Sequence, residues 1–269
     1  MSGFSADWLA LREPYDARAR NLSILDVVVA SLNRYTSVRI TDLACGTGST
    51  LRALARRLRV QQNWRLVDND LGLLARAVAM ARPATVSVTA VTLDLNRDLE
   101  AALDGPVDLV TASALLDLVS EAWLERLVVE IAARSIPIYA ALSYDGRITI
   151  DPADPLDDAI IVAVNAHQRT DKGFGQALGP TAASFAIARF EKLGYSVVHG
   201  NSDWIVGPDD RDMQFETLAG WAGAARELGD LPLVDTVEWL TRRRDTVNAG
   251  RSSIRVGHVD IFAWPIGTR

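Results

Sequence analysis

An α/β chain whose mostly parallel sheet is covered by helices on both faces is the fold class predicted by three observations. Residues Ile40 to Ser49 form an apolar run that ends in Asp42 and passes through a glycine-rich turn, Ala44-Cys45-Gly46-Thr47-Gly48, into a helical pattern. From Val38 to Ser143 strand-like and helix-like segments alternate, the rhythm of parallel strands joined by crossover helices. Ile254 to Trp264 then alternates well enough to be a closing strand.

Length and composition bound the answer. A chain of 269 residues with 49% hydrophobic residues buries a large core and is expected to form one α/β domain. A net charge of -6 argues against broad contact with nucleic-acid phosphates, which rests on clustered Lys and Arg. The run Arg242-Arg243-Arg244 reads as a solvated helix end. Cys45 is the single cysteine, so no intrachain disulfide forms, and its place in the turn suits a small filler. The start Met1-Ser2-Gly3-Phe4 lacks a leader pattern and no apolar run reaches membrane-span length, so a cytoplasmic protein is expected. Lys occurs only at 172 and 192 against 26 Arg, the bias of a GC-rich, bacterial genome.

Each element has its own signal. Asp7 to Arg20 predicts a helix interrupted near Pro14, and Leu22 to Leu32 a second helix. Trp64 to Asp68 is an apolar strand ending in acids, and Asp70 is placed to cap the helix through Leu73, Leu74, Ala77 and Val78. Thr85 to Thr92 is β-branched, Val107 to Ser113 is the fourth strand, and Ile138 to Ser143 the fifth. Tyr144 to Pro180 then breaks the rhythm, with a helical piece at Asp157 to Ala166 and the glycine-rich Asp171 to Gly175. A helix over Thr181 to Leu193 and a strand over Tyr195 to Val198 resume the core, and Arg211 to Gly250 is a helical insertion. Long excursions of this kind tend to be lids.

The glycine turn admits two readings. A dinucleotide fingerprint needs a third glycine where Leu51 stands, and Asp42 suits a ligand with an ammonium group better than a diphosphate. Asp42 to Gly48 instead resembles the first motif of the class I S-adenosylmethionine-dependent methyltransferases, acidic-Leu-small-x-Gly-x-Gly. The later landmarks follow in order. Asp68, about twenty residues on, is placed to accept both ribose hydroxyls, and Leu93-Asp94-Leu95 resembles the adenine-edge position of that family.

The resemblance implies a three-layer α-β-α Rossmann-like methyltransferase fold with a seven-stranded, mostly parallel sheet and an antiparallel last strand. It implies an N-terminal helical lid over residues 1–36, and a core over 37–269 with cap insertions at about 145–180 and 211–250. The implied cofactor is S-adenosyl-L-methionine, with S-adenosyl-L-homocysteine as product. Its implied contacts are Arg20 (reaching the methionine carboxylate), Asp42, Ala44, Gly46, Gly48, Asp68, Asn69, Asp94, Leu95 and Ser113.

The acceptor is less legible. His167 is the candidate base, since it lies in the expected cap and imidazole titrates near neutrality; His199 and His258 fall in strands expected on the far side of the sheet. Tyr144 is a second catalytic candidate, and Asp117 a group that positions the acceptor. Arg169 and Lys172 beside His167 suit an acidic acceptor. No metal site is expected. Two functions stay open: methylation of O, N or S on a small, possibly anionic metabolite, or a protein that binds the cofactor for regulation or acts on a macromolecule such as protein or tRNA. Ser113-Ala114-Leu115-Leu116 stands where an Asn-Pro-Pro-Tyr acceptor motif would be, which argues against adenine or glutamine methylation.

Overall fold

The computed structural model describes residues 5–80 and 83–266; Met1 to Phe4, read above for the missing leader pattern, lie outside them. In chain order the elements are α1 (Ala6–Ala19), α2 (Leu22–Leu32), β1 (Ser37–Leu43), α3 (Ser49–Ala55), β2 (Gln61–Asp68) and α4 (Leu71–Ala79). There follow β3 (Val86–Thr92), α5 (Leu99–Ala102), β4 (Leu109–Ser113), α6 (Glu121–Ala133), β5 (Ile138–Asp151) and α7 (Asp157–His167). The chain closes with α8 (Ala182–Lys192), β6 (Tyr195–Asn201), β7 (Trp204–Val206), α9 (Arg211–Leu228), α10 (Leu233–Asn248) and β8 (Ser253–Pro265).

The sheet order is β3-β2-β1-β4-β5-β8-β6. The first five strands in that order pair in parallel, and β8 runs antiparallel to both β5 and β6, as expected for the last strand. The order reverses between β1 and β4, and it is outside such a switch point that open α/β sheets bind ligands.

The sheet departs from the expected seven strands because β5 does not end at Ser143. It runs on to Asp151 against β8, with register shifts between Ala140 and Ser143 and between Tyr144 and Ile148. Bulges bend and twist a strand, and beyond them the far part of β5 pairs with β8 as a ribbon outside the stretch of β8 that β6 covers. The short β7 pairs with that part of β8, Trp204 opposite Val256. Tyr144 is thereby a strand residue at the bend, and the excursion starts only after Asp151.

Helices cover both faces. On one, α6 and α8 bury Leu124, Leu127, Ile131 and Phe190 against β4, β5 and β8. On the other, α2, α3 and α4 bury Leu25, Val28, Leu51 and Leu54 against β1 and β2. Full burial of one such side chain stabilises by about 1.5–3 kcal/mol. Leu51, which replaces the third glycine, fills the space between α3 and the sheet. Because α2 packs in this core, only α1 of the expected lid reaches the cavity described below. Nor does Pro14 interrupt α1, which runs through it from the Ser5 cap, whose side chain accepts the Trp8 amide.

A third cluster joins α7, α9 and α10 to the ribbon. Its polar centre is Asp157, which accepts from Trp239 Nε1 at 2.9 Å and pairs with Arg243, 2% exposed. Arg243 Nη1 also donates to the Pro152 carbonyl at 2.6 Å. The Arg242–Arg244 run is therefore not wholly a solvated helix end: its middle member faces inward, and Arg242 pairs with Asp154.

Candidate functional site

Backbone geometry at the tip of β1 requires glycine twice. Gly46 takes φ +53°, where a Cβ would meet Leu9 Cδ1 at 3.3 Å, and Gly48 takes φ +82°, where a Cβ would meet Ala77 Cβ at 3.3 Å. Asp68 holds the turn: Oδ2 accepts the Gly46 amide at 2.8 Å and Oδ1 the Asp70 amide at 3.0 Å. Arg52 ties α1 to the same turn, since it pairs with Glu13 and donates to the Thr47 carbonyl. Ala44 (φ 49°) and Ala114 (φ 50°), just past the ends of β1 and β4, and Leu142 (φ 55°), at the first register shift of β5, take the left-handed region, at a cost of about 1–3 kcal/mol each. All three line one cavity, and strain gathered at one place marks a functional site.

That cavity, roughly 1360 Å³, opens over the carboxyl ends of the parallel strands. Drug-sized ligands occupy roughly 300–1,000 Å³, so there is room for two molecules. Ala44, Gly46, Asp68 and Asn69 line it from β1 and β2, and Asp94, Leu95 and Ser113 from β3 and β4. Asp117, Tyr144, His167 and Lys172 line the remainder.

Four expected contacts are not on the wall. Gly48 starts α3 and serves close packing against α4. Asp42 lies behind the turn, its Oδ1 accepting from Thr111 Oγ1 at 2.7 Å and its Oδ2 without a partner among the described residues; burial pushes its carboxyl up to about 7, opposed by the Thr111 hydroxyl. Arg20, 3% exposed, also lies behind, donating to Ser113 Oγ at 3.2 Å and Thr50 Oγ1 at 3.4 Å. It braces two wall residues and does not itself face a carboxylate in the cavity. Arg169 is exposed, its stem against Gly179.

His167 is on the wall with both ring nitrogens engaged. Nδ1 is 3.2 Å from Lys172 Nζ, and Nε2 is 2.9 Å from Glu227 Oε2. Since the lysine ammonium can only donate, Nε2 carries the proton shared with Glu227. This arrangement leaves no free lone pair for a base. Tyr144 donates its hydroxyl to Asn165 Oδ1 at 2.7 Å, and burial raises its pKa, which favours a hydrogen-bond donor over a base.

Several wall residues were not read from the sequence. Trp8, Arg12 and Asp16 form an i, i+4, i+8 stripe on α1, a spacing visible in the chain but not distinguishable from an ordinary surface face. Glu216, Gly220, Trp221, Ala224 and Glu227 form a similar stripe on α9. His258, expected on the far side of the sheet, lines the cavity because the ribbon folds back, whereas His199 does not. Burial pulls His258 down to about 3 and keeps it neutral, while Nδ1 donates to the Val256 carbonyl at 3.1 Å. Asp117 is 5% exposed, its Oδ1 has no partner among the described residues, and burial pushes its carboxyl up to about 6.

Comparison with known proteins agrees with this geometry. A family described as a methyltransferase domain matches residues 40–135, the stretch holding the glycine turn and Asp68, Asp94 and Ser113. Residues 40–135 thus carry the pattern of a methyltransferase domain. In overall fold the chain is similar to a cyclopropane-fatty-acyl-phospholipid synthase-like protein from Lactobacillus casei, at 14% identity and TM-score 0.55, over 98% of this chain and 96% of that one. It is also similar to a SAM-dependent methyltransferase from Thiobacillus denitrificans in complex with S-adenosyl-L-homocysteine, at 16% identity and TM-score 0.45, over 97% and 99%. No curated protein matches the chain. No helix among the described residues is long and apolar enough to cross a membrane.

Proposed function

We propose that the chain is a methyltransferase that acts on a small molecule at O, N or S, with the cofactor in the strand-tip half of the cavity and the acceptor in the remainder. The observation that carries this reading is one cavity lined both by the glycine turn, Asp68, Asp94 and Ser113 and by residues of α1, α9 and the ribbon.

The residues present suit the cofactor. Asp68 keeps lone pairs beyond those given to the Gly46 and Asp70 amides, enough to accept ribose hydroxyls. Asp94 is placed to accept an exocyclic amine, and the amides of Thr47 and Ser49 offer donors at a helix start, whereas those of Gly46 and Gly48 are bonded to Asp68 and to the Cys45 carbonyl. When bound, S-adenosylmethionine supplies a methyl carbon activated by a sulfonium for in-line transfer. The protein orients the acceptor and excludes water, which α1 (within the 1–36 lid) and the 152–180 and 211–250 segments are placed to do. The anionic acceptor expected from Arg169 and Lys172 loses support, since Arg169 points to solvent and Lys172 is taken up by His167 and Thr170.

The test is calorimetric titration with S-adenosylhomocysteine, followed by a mass-spectrometric screen of metabolite pools for cofactor-dependent methylation. Micromolar binding and a methylated product support the proposal. Absence of binding defeats it, and binding without product from any pool leaves the regulatory alternative standing in its place.

A further inference from the structure

We infer that the acceptor is recognised as a cation: Asp117 and the rings of Tyr144, His258, Trp204 and Trp8 form a subsite for a small molecule bearing a protonated or alkylated nitrogen. The inference rests on the acceptor half of the cavity as proposed above.

Asp117 is one support. It is 5% exposed, it lines the cavity, and its Oδ1 has no partner among the described residues. A carboxylate oxygen withdrawn from water carries a desolvation cost that a donor relieves, most strongly a charged one. The sequence places Asp117 in the loop after β4, and the fold sets it beside Tyr144.

The rings are an independent support. Tyr144 and His258 have centroids 6.1 Å apart, His258 and Trp204 4.9 Å, and Trp204 and Trp8 6.3 Å. All four line the cavity as one continuous wall starting next to Asp117. Aromatic faces attract a cation within about 6 Å of the centroid, and the Arg12 guanidinium, 5.2 Å from the Trp204 centroid, already makes such a contact. Burial keeps His258 neutral, so its ring adds no positive charge to the wall beyond that of Arg12.

The charges around the wall agree. Arg12 is paired with Asp16 at 2.9 Å, and Lys172 faces His167, Thr170 and Glu227. Asp117 and, at the mouth, Glu216 are carboxylates on this wall with no ion pair among the described residues. An anion would meet only paired cations there, whereas an ammonium meets an unpaired carboxylate and aromatic faces.

The experiment uses the full chain saturated with S-adenosylhomocysteine and three probes of one skeleton: 2-phenylethylammonium, 2-phenylethanol and 3-phenylpropionate. Calorimetry is expected to find the ammonium bound at least about tenfold more tightly than the carboxylate, as one charge-assisted contact implies. Asp117→Asn is expected to weaken the ammonium about tenfold or more and to leave the alcohol and S-adenosylhomocysteine unchanged. Trp8→Leu, with its circular dichroism and melting point checked, should weaken the ammonium as well. Carboxylate binding as tight as ammonium binding overturns the inference, as does undetectable ammonium binding or an Asp117→Asn variant that keeps it. Equal loss of S-adenosylhomocysteine affinity in Asp117→Asn also overturns it, since the carboxylate then serves the cofactor. Should the wild type not bind S-adenosylhomocysteine at all, the proposed function falls, and titration of the cofactor-free chain with the same probes decides the cation subsite separately.

Discussion

Asp68 at the tip of β2 accepts the Gly46 amide, in the turn after β1, at 2.8 Å. One side chain thus fixes the loop that shapes the cofactor end of the cavity and also lines that end. Asp68→Ala removes both roles. Removing a charged hydrogen-bonding partner costs about 1.5–3 kcal/mol, so S-adenosylhomocysteine affinity should fall by roughly tenfold to more than a hundredfold. Calorimetry giving equal affinity for wild type and variant would refute the assignment.

Asp42 supplies a pH dependence. Its carboxyl is pushed up to about 7 from 3.8, so the folded state binds a proton more readily than the unfolded chain. Stability from this group is present below about pH 4 and is lost as pH rises through about 7. Asp42→Asn, which keeps an acceptor for Thr111, should raise the melting temperature of the ligand-free protein at pH 8 and have a smaller effect at pH 5. Equal shifts at both values would show that Asp42 titrates normally. His258 works in the opposite sense, its neutral form being favoured in the fold, and contributes stability that is lost as pH falls from 6.5 towards 3.

Arg243 and Asp157 pair in the cluster beneath α9 and α10. Truncating one member of a buried pair leaves the other charge unpaired, at about 3–5 kcal/mol. Arg243→Ala should lower the urea midpoint accordingly, whereas Arg244→Ala, next along the same run, should leave it within about 0.5 kcal/mol. Similar midpoints for the two variants would show that the buried pair contributes no more than a surface charge.

Trp221 lies on the cavity face of α9. Trp221→Ala should raise the KM for the acceptor while S-adenosylhomocysteine affinity is retained, because α9 packs on α7, α10 and α1 and makes none of the contacts that hold the glycine turn. A parallel loss of both affinities would place Trp221 over the cofactor.

Short-range signals carried much of the fold. The strand periods, the Asp70 cap, the glycines at 46 and 48 and the acid at 68 are features of a few neighbouring residues, and each stands where its pattern implied. Pro14 misled because tertiary packing of α1 overrode a local helix-breaking preference, and Ser143 misled because bulges let β5 continue past the point where its alternation fails. The Arg242–Arg244 run misled because three like residues give no sign of which one faces inward.

The succession of strands and helices along the chain and the glycine turn after β1 were legible in the sequence itself, since hydrophobic periodicity and glycine placement act over a few residues and are written along the chain. Which groups surround the acceptor was decided only by the tertiary structure. Asp117, Tyr144, His258, Trp204 and Trp8 come from segments up to two hundred and fifty residues apart, and they meet because the β5–β8 ribbon bends back under α1. Burial then sets their charge states, and the burial of a side chain is a property of everything packed around it.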